Sequence, residues 1–170
     1  QVSVAGARTL ANRLVAAHGT PLPPTLGVAA PHDLTHAFPT AAALADIDPT
    51  TIAMPRSRST ALREVAGLLA SGELVVDSGA DRDEVTARLT AVRGIGPWTA
   101  GYVALRALGD PDAFLSTDIG VRNGLAALGH RSSPADATAR AERWRPFRSY
   151  ALHHLWAAAG AAPLRRSGSR

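Results

Sequence analysis

Between Arg93 and Asp118 the sequence reads RGIGPWTAGYVALRALGDPDAFLSTD, which places a short glycine-containing turn between two helical patterns and one carboxylate at the start of another helix. Apolar residues recur at i, i+4 and i+7 on both sides of the turn: Val85, Leu89 and Val92 before it, and Trp98, Tyr102 and Leu105 after it. This spacing gives each helix one apolar stripe. The sequence therefore predicts two helices joined by a short hairpin.

The turn has the composition of a helix start that binds anions. Gly94 and Gly96 permit positive φ and close approach of another molecule, and Pro97 suits the first helical position, where its missing N–H costs nothing. With no lysine nearby to build a nucleotide-phosphate loop, the exposed amides favour a nucleic-acid phosphate. A dinucleotide-binding fingerprint is excluded, because Thr99 stands where a third small residue is required and the preceding pattern is helical. An ordinary corner between two helices remains the alternative for Gly-x-Gly alone.

Composition indicates a single folded domain with a polyanionic partner. The 170 residues are 46% hydrophobic, which is enough for one core, and the formal net charge is +4. Charge alone does not distinguish DNA, RNA and a membrane surface. All eighteen basic residues are arginine. The sequence therefore contains no lysine amine on which a Schiff base could form.

The chain contains no cysteine, which excludes disulfides, thiolate nucleophiles, thiolate-ligated zinc and a four-cysteine iron–sulfur cluster. The six histidines show no metal-ligand spacing. We find no signal peptide, transmembrane run or lipidation motif, so a cytoplasmic protein is expected.

The 93–118 block resembles the signature of the HhH-GPD superfamily of DNA base-excision glycosylases: a helix–hairpin–helix, a Gly/Pro-rich loop and a catalytic aspartate. The superfamily hairpin, L-x-G-[IV]-G-x-x-T-A, corresponds to VRGIGPWTA at 92–100, and the later elements to Gly109-Asp110-Pro111, Phe114-Leu115 and Asp118. Further features are most similar to the AlkA-like branch, 3-methyladenine DNA glycosylase II: Trp98, Tyr102, Arg106, the run RWRPFRSYA at 143–151, Leu155-Trp156, QVSVA at 1–5 and AFPT at 37–40.

The resemblance implies an all-α HhH-GPD DNA glycosylase fold, with helical lobes flanking an active-site cleft. Residues 1–160 would form the glycosylase domain, lacking the family's first helix and its N-terminal α/β domain, and residues 161–170 a basic tail. Periodicity and capping signals predict helices at 2–17, near Thr40, near Asp48, and at 59–70, 82–92, 97–108, 118–128, 134–143 and 147–159, with a loop over 19–31.

Asp118 is the predicted catalytic residue. An aspartate at a helix start is by itself more often a capping residue, but its position twenty residues after Trp98 fits the signature. A carboxylate there stabilises an oxocarbenium-like transition state and can orient or deprotonate the attacking water. One carboxylate suffices when alkylation has made the leaving base cationic, whereas many glycoside hydrolases need two.

This chemistry requires the nucleotide to leave the base stack. A base that is flipped out and cationic is best recognised by an aromatic pocket. The resemblance assigns that pocket to Trp98, Tyr102 and Trp156, for each of which core packing is the alternative. At the hairpin position where lyase-competent members carry their lysine, this sequence has Trp98. Ile119 stands where some relatives have an aromatic residue, so the pocket wall is expected to be less aromatic. Gln1 matches the wedge residue that fills the gap left by the flipped base.

The remaining predicted contacts to DNA come from the hairpin: the backbone amides of Gly94, Ile95 and Gly96, together with Thr99. The resemblance implies no required cofactor and no iron–sulfur cluster, but a structural monovalent cation on the backbone carbonyls of Thr90, Val92 and Ile95.

The predicted protein is a monofunctional DNA-3-methyladenine glycosylase acting on double-stranded DNA with alkylated purines. It is expected to be a monomer, bacterial-type and nucleoid-associated, with no membrane partner. A non-catalytic helix–hairpin–helix DNA-binding module is the alternative, which leaves Asp118 without a role. A bifunctional glycosylase/lyase is disfavoured by the absence of lysine.

Overall fold

The computed structural model describes residues 4–23, 34–52 and 54–161, which are mostly α-helical, as predicted. The elements are α1 (Val4–His18), α2 (Ala41–Ala45), α3 (Arg56–Ser71), α4 (Arg82–Ala91), α5 (Pro97–Arg106), α6 (Ile119–Ala127), α7 (Pro134–Ala141), a 3₁₀ turn (Glu142–Trp144) and α8 (Arg148–Ala161). Two short strands, β1 (Thr20–Pro21) and β2 (His36–Ala37), pair antiparallel. Within these residues no helix is both long enough and apolar enough to cross a bilayer.

The chain divides into two compact units. The first contains the described residues up to Val75 together with Val92–Gly94. In it, α2 packs against α3, and the core cluster is formed by buried apolar side chains: Leu14, Leu44, Ile47 and Ala66. Arg63 of α3 also donates a hydrogen bond from Nε to the carbonyl of Ala45 at 2.9 Å. These contacts bury the apolar faces that the helical periodicity predicts.

The second unit contains Val76–Ala91 and the described residues from Ile95 onward, and its core lies where α6 packs against α8. Val121, Leu125 and Leu152 are fully buried there. Gly124 of α6 lies directly against the backbone of Leu155 in α8, so close that a Cβ atom would stand 2.7 Å from the Leu155 carbonyl carbon and 2.9 Å from its Cα. The absent side chain thus permits the close crossing of these two helices.

Local capping explains where several helices begin and end. Thr40, Asp118 and Ser133 occupy N-cap positions, and each side chain accepts a hydrogen bond from a backbone N–H of the first turn. Gly72 ends α3 in the left-handed conformation with φ +79°. The helix predicted to start near Thr40 is therefore confirmed.

One predicted helix and three predicted boundaries need correction. The short helix predicted near Asp48 is wrong: the Asp48 carboxylate accepts hydrogen bonds from the Thr50 backbone N–H and hydroxyl, both at 2.8 Å, and so closes a turn. Helix α3 begins at Arg56, three residues before the predicted Ser59, and α7 ends at Ala141 and continues as a 3₁₀ turn. The predicted loop over 19–31 begins with β1, and its residues 24–31 lie outside the described part of the chain.

A charged cluster fixes the α5–α6 loop to the start of α8. Arg148 binds Asp112 through two parallel hydrogen bonds, Nε to Oδ1 at 2.7 Å and Nη2 to Oδ2 at 2.8 Å. Arg145 adds a third at 2.9 Å, and the buried Ser149 hydroxyl lies 2.6 Å from the carbonyl oxygen of Asp110. The hydrogen bonds from Arg148 hold the pKa of Asp112 below its usual range.

This lowered pKa predicts a pH-dependent stability. Because the folded state favours ionised Asp112, its contribution is present above the unfolded pKa of about 3.9 and is lost as pH falls through the lower folded value. We expect Asp112→Asn to lower the free energy of unfolding by about 1–3 kcal/mol at pH 7, and by progressively less below about pH 4.

Urea unfolding at pH 7 and pH 3 measures this difference, with Glu84→Gln as the control. Glu84 pairs with Arg88 on the surface of α4, where both side chains are about half exposed, so its loss should cost at most about 0.5 kcal/mol. An equal effect of Asp112→Asn at both pH values would contradict the prediction.

Candidate active site

The Asp118 carboxylate lies at the N-terminus of α6 and accepts three hydrogen bonds. Its Oδ1 accepts the backbone N–H of Val121 at 3.0 Å and the indole N–H of Trp156 at 2.8 Å. Its Oδ2 accepts the indole N–H of Trp98 at 3.0 Å. Asp118 is only half-buried, so part of the side chain stays accessible from outside. The structure thus brings Asp118 together with two of the three predicted pocket residues.

The third predicted pocket residue, Tyr102, lies between the two tryptophans. Its ring stacks on Trp98 with centroids 5.3 Å apart and an interplanar angle of 18°, and it lies 6.2 Å from the Trp156 ring. We call these three side chains the aromatic cluster. Tyr102 and Trp156 are half-buried, whereas Trp98 keeps 43% of its surface exposed. Core packing, the alternative for each residue, accounts for only part of their surface, and an incoming planar base could stack on the part that remains exposed.

A cation already lies against the aromatic cluster. The Arg106 guanidinium, at the end of α5, stands 5.8 Å from the Tyr102 ring centroid and 5.9 Å from that of Trp156. His153 packs edge-on against Trp156 with ring centroids 5.2 Å apart. Neither side chain is predicted from the sequence to belong to the base pocket. The i, i+4 spacing of Tyr102 and Arg106 was the available signal.

Gly120 is a third site residue that is not predicted from the sequence. A Cβ atom at this position would stand 2.7 Å from Cδ1 and 3.0 Å from Nε1 of Trp156, and 3.0 Å from Oδ1 of Asp118. Real Cβ atoms essentially never approach another atom to 2.7 Å. The sequence does not indicate this role, because Trp156, the neighbour that requires glycine here, lies on a different helix.

The hairpin glycines differ from each other. Gly94 has φ +100°, as expected of a turn that requires glycine. The positive φ expected for Gly96 is wrong: Gly96 is the N-cap residue of α5, with φ −98° and ψ 174°, an extended conformation open to other residues. A Cβ atom at Gly96 would meet open space. Any need for glycine there must come from what approaches the backbone from outside.

The other predicted residues make no hydrogen bond or ring contact with Asp118 or the aromatic cluster among the contacts described above. Ile95 and Thr99 are half-buried, and Ile119, next to Asp118 in the chain, is 70% exposed. The Thr90 hydroxyl bonds to backbone carbonyls within α4, and Val92 is buried. The cation on the carbonyls of Thr90, Val92 and Ile95 stays a prediction. Gln1, the predicted wedge, lies outside the described residues.

Comparison with known proteins supports the same class. No protein-family model matches the chain. The chain is 44% identical over 156 residues to the "probable bifunctional transcriptional activator/DNA repair enzyme AlkA" of Mycobacterium tuberculosis, a match that covers 92% of this chain and 30% of that protein. It is 36% identical over 129 residues to DNA-3-methyladenine glycosylase 2 of Escherichia coli, covering 74% and 44% of the two chains.

The fold of the chain is also similar to that of a solved DNA glycosylase structure. The fold matches that of 3-methyladenine DNA-glycosylase from Archaeoglobus fulgidus with a TM-score of 0.78 at 26% identity, over 96% of this chain and 55% of that one. The hairpin, the loop and the capping aspartate define the HhH-GPD DNA glycosylase fold. Within that class, the chain is similar to proteins of the AlkA-like branch. It spans about a third to a half of the length of the two relatives named above.

Proposed function

We propose that the protein is a monofunctional DNA glycosylase that removes alkylated purines from double-stranded DNA and leaves an abasic site. The observation that carries this proposal is the Asp118 carboxylate, held by the indole N–H groups of Trp98 and Trp156 at the edge of the aromatic cluster. A capping aspartate needs only the backbone bond to Val121. The two further bonds hold the charge beside a surface on which a base can stack.

The chemistry follows from the charge on the base. Alkylation at N3 or N7 makes a purine cationic, so it can depart without an added proton. As the N-glycosidic bond breaks, positive charge develops on the sugar, and the Asp118 anion stabilises that charge and orients the attacking water. No second carboxylate is required in this scheme.

The aromatic cluster would select the flipped base. Electron-rich ring faces attract a cation, and the position of the Arg106 guanidinium over Tyr102 and Trp156 shows that this cluster already interacts with one. A neutral purine lacks that attraction and also leaves more slowly. The exposed face of Trp98 offers the stacking surface.

The rest of the proposed function rests on the family. We expect the protein to act as a monomer in the cytoplasm, on chromosomal DNA, with no dissociable cofactor required for base release. The cation predicted at the hairpin would have a structural role there.

The product of the reaction tests the proposal. Incubation with DNA pretreated with a methylating agent should release methylated purines as free bases and leave an intact abasic strand, because the chain offers no lysine for a Schiff base. Chromatography of the released bases and denaturing gels of the strand measure both parts. Unmethylated DNA is the control. Strand cleavage without added alkali, or a covalent complex trapped by borohydride, would contradict the monofunctional assignment.

The hairpin is proposed to bind a phosphate of the lesion strand. Because Gly96 has an extended backbone and open space at its Cβ position, Gly96→Val should leave the fold intact but shield the free amides at the start of α5. We expect affinity for damaged and undamaged DNA to fall alike, by about tenfold, and the slope of log K against log salt to shrink by about one phosphate's worth.

Fluorescence anisotropy over a salt series measures this effect. Gly94→Val provides the contrast, because φ +100° strains any β-branched side chain and should lower the melting temperature. An unchanged salt slope for Gly96→Val, with loss of lesion discrimination only, would instead place the hairpin in the base pocket.

A further inference from the structure

The hydrogen bonds of Asp118 are unequally divided between its two oxygens. An ionised carboxylate offers about four lone-pair sites, two on each oxygen. The Val121 N–H and the Trp156 indole occupy both sites of Oδ1, and the Trp98 indole occupies one site of Oδ2. A single site remains, on Oδ2. The reacting water and the developing sugar cation would therefore meet that oxygen.

We propose that Trp98 and Trp156 act on Asp118 as a pair of hydrogen-bond donors that direct the free lone pair of Oδ2, and that Gly120 is the positioning residue that lets Trp156 reach Oδ1. This inference rests on the proposed glycosylase function and adds a second role to the two tryptophans. Their ring faces belong to the aromatic cluster, and their N–H groups orient the carboxylate so that the free lone pair of Oδ2 faces the substrate.

Gly120 links the packing of α6 to the hydrogen bonding of Asp118. It lies two residues after Asp118, in the first turn of α6, where alanine would ordinarily improve helix stability by up to about 1 kcal/mol. Here the added methyl group would stand 2.7 Å from Trp156 Cδ1, so the indole must move. Since Nε1 of the same indole donates to Oδ1 at 2.8 Å, a shift of a few tenths of an ångström weakens that bond.

The arrangement also couples base binding to the carboxylate. The Trp98 ring stacks on Tyr102, and the N–H at the edge of that ring holds Oδ2. A base stacking on the exposed face of Trp98 therefore meets a ring whose position is already set by Asp118. Preorganisation of this kind lowers the barrier because little rearrangement is needed in the transition state.

The kinetic test is Gly120→Ala in the intact protein, with Gly67→Ala as the matched control. Gly67 is also inside a helix, but a Cβ atom there has nothing within 4 Å. We expect Gly120→Ala to lower single-turnover base release about 10- to 100-fold and to change lesion-DNA affinity less than about threefold. Gly67→Ala should change neither. Trp156→Phe should lose a similar factor, and the double variant should lose little more, because both changes remove the same hydrogen bond.

An independent readout does not require activity. The three tryptophans give three indole N–H signals in a ¹H–¹⁵N spectrum, and hydrogen bonding to a carboxylate moves such signals downfield. Asp118→Asn should shift the signals of Trp98 and Trp156 but not that of Trp144, whose ring packs on Phe114. Gly120→Ala should shift the Trp156 signal.

The two readouts separate this proposal from the proposed function. If the indole signals respond as described but methylated DNA releases no base, the donor pair stands and the glycosylase function fails. If Gly120→Ala leaves the Trp156 signal and the rate of base release unchanged, the positioning role of Gly120 is overturned.

Discussion

Replacing Asp118 with asparagine is expected to abolish base release from methylated DNA, lowering the single-turnover rate by at least about a thousandfold. The affinity for lesion DNA should change by less than about tenfold, because the negative charge acts on the transition state and contributes little to ground-state binding. Asparagine has the same shape and is an equally good N-cap, so it can still accept the Val121 N–H. The melting temperature should therefore stay close to that of the wild type.

Asp136→Asn is the matched control. Asp136 lies in the first turn of α7, where its backbone N–H and carboxylate bond to Ser133, and its loss should leave base release unchanged. Rates measured with enzyme in excess over DNA exclude product release as the limiting step. Retained turnover in Asp118→Asn would remove the basis for a mechanism that depends on this carboxylate.

The second large effect is expected for Gly124→Ala, at the crossing of α6 and α8. The added methyl group would overlap the backbone of Leu155, which cannot move aside as the end of a flexible side chain could. Overpacking of this kind costs roughly 2–3 kcal/mol, which corresponds to a fall of roughly 5–10 °C in melting temperature for a chain of this size. Trp156 follows Leu155 directly, so base release should fall even at temperatures where the protein remains folded.

Gly160→Ala, in the last turn of α8, is the control for this variant, because a Cβ atom there meets open space. Differential scanning calorimetry and single-turnover kinetics on both variants provide the measurement. A melting temperature of Gly124→Ala equal to that of the wild type would show that α6 and α8 can separate without cost, contrary to the packing described above.

Local sequence patterns predicted those parts of the molecule that depend on near neighbours in the chain. The helices on both sides of the hairpin follow from apolar spacing, and the capping position of Asp118 follows from its place before a helical pattern. The shared face of Trp98 and Tyr102 follows from their separation of one helical turn. The assignment of Trp156 to the same site needed the resemblance to a known family, because 38 residues separate it from Asp118.

The errors made from sequence have local causes as well. Glycine often adopts a positive φ, and this tendency predicts one for Gly96, but an N-cap residue takes an extended conformation whatever its side chain. The residue type of Asp48 predicts a helix start, yet the same side chain bonds equally well to the backbone two residues on and closes a turn. In both cases one residue type serves two local structures, and its neighbours in the chain do not decide between them.

Residue types and contacts within about one helical turn are enough to predict the mostly helical class, the hairpin, the cap at Asp118 and the lack of a lysine for a Schiff base. Tertiary packing is needed to establish which oxygen of Asp118 each indole binds, why Gly120 and Gly124 have no side chain, and how Asp112 fixes the loop to α8. Those features join residues some 20 to 38 positions apart. Their geometry depends on distances of a few tenths of an ångström between packed helices, which no local pattern of residue types encodes.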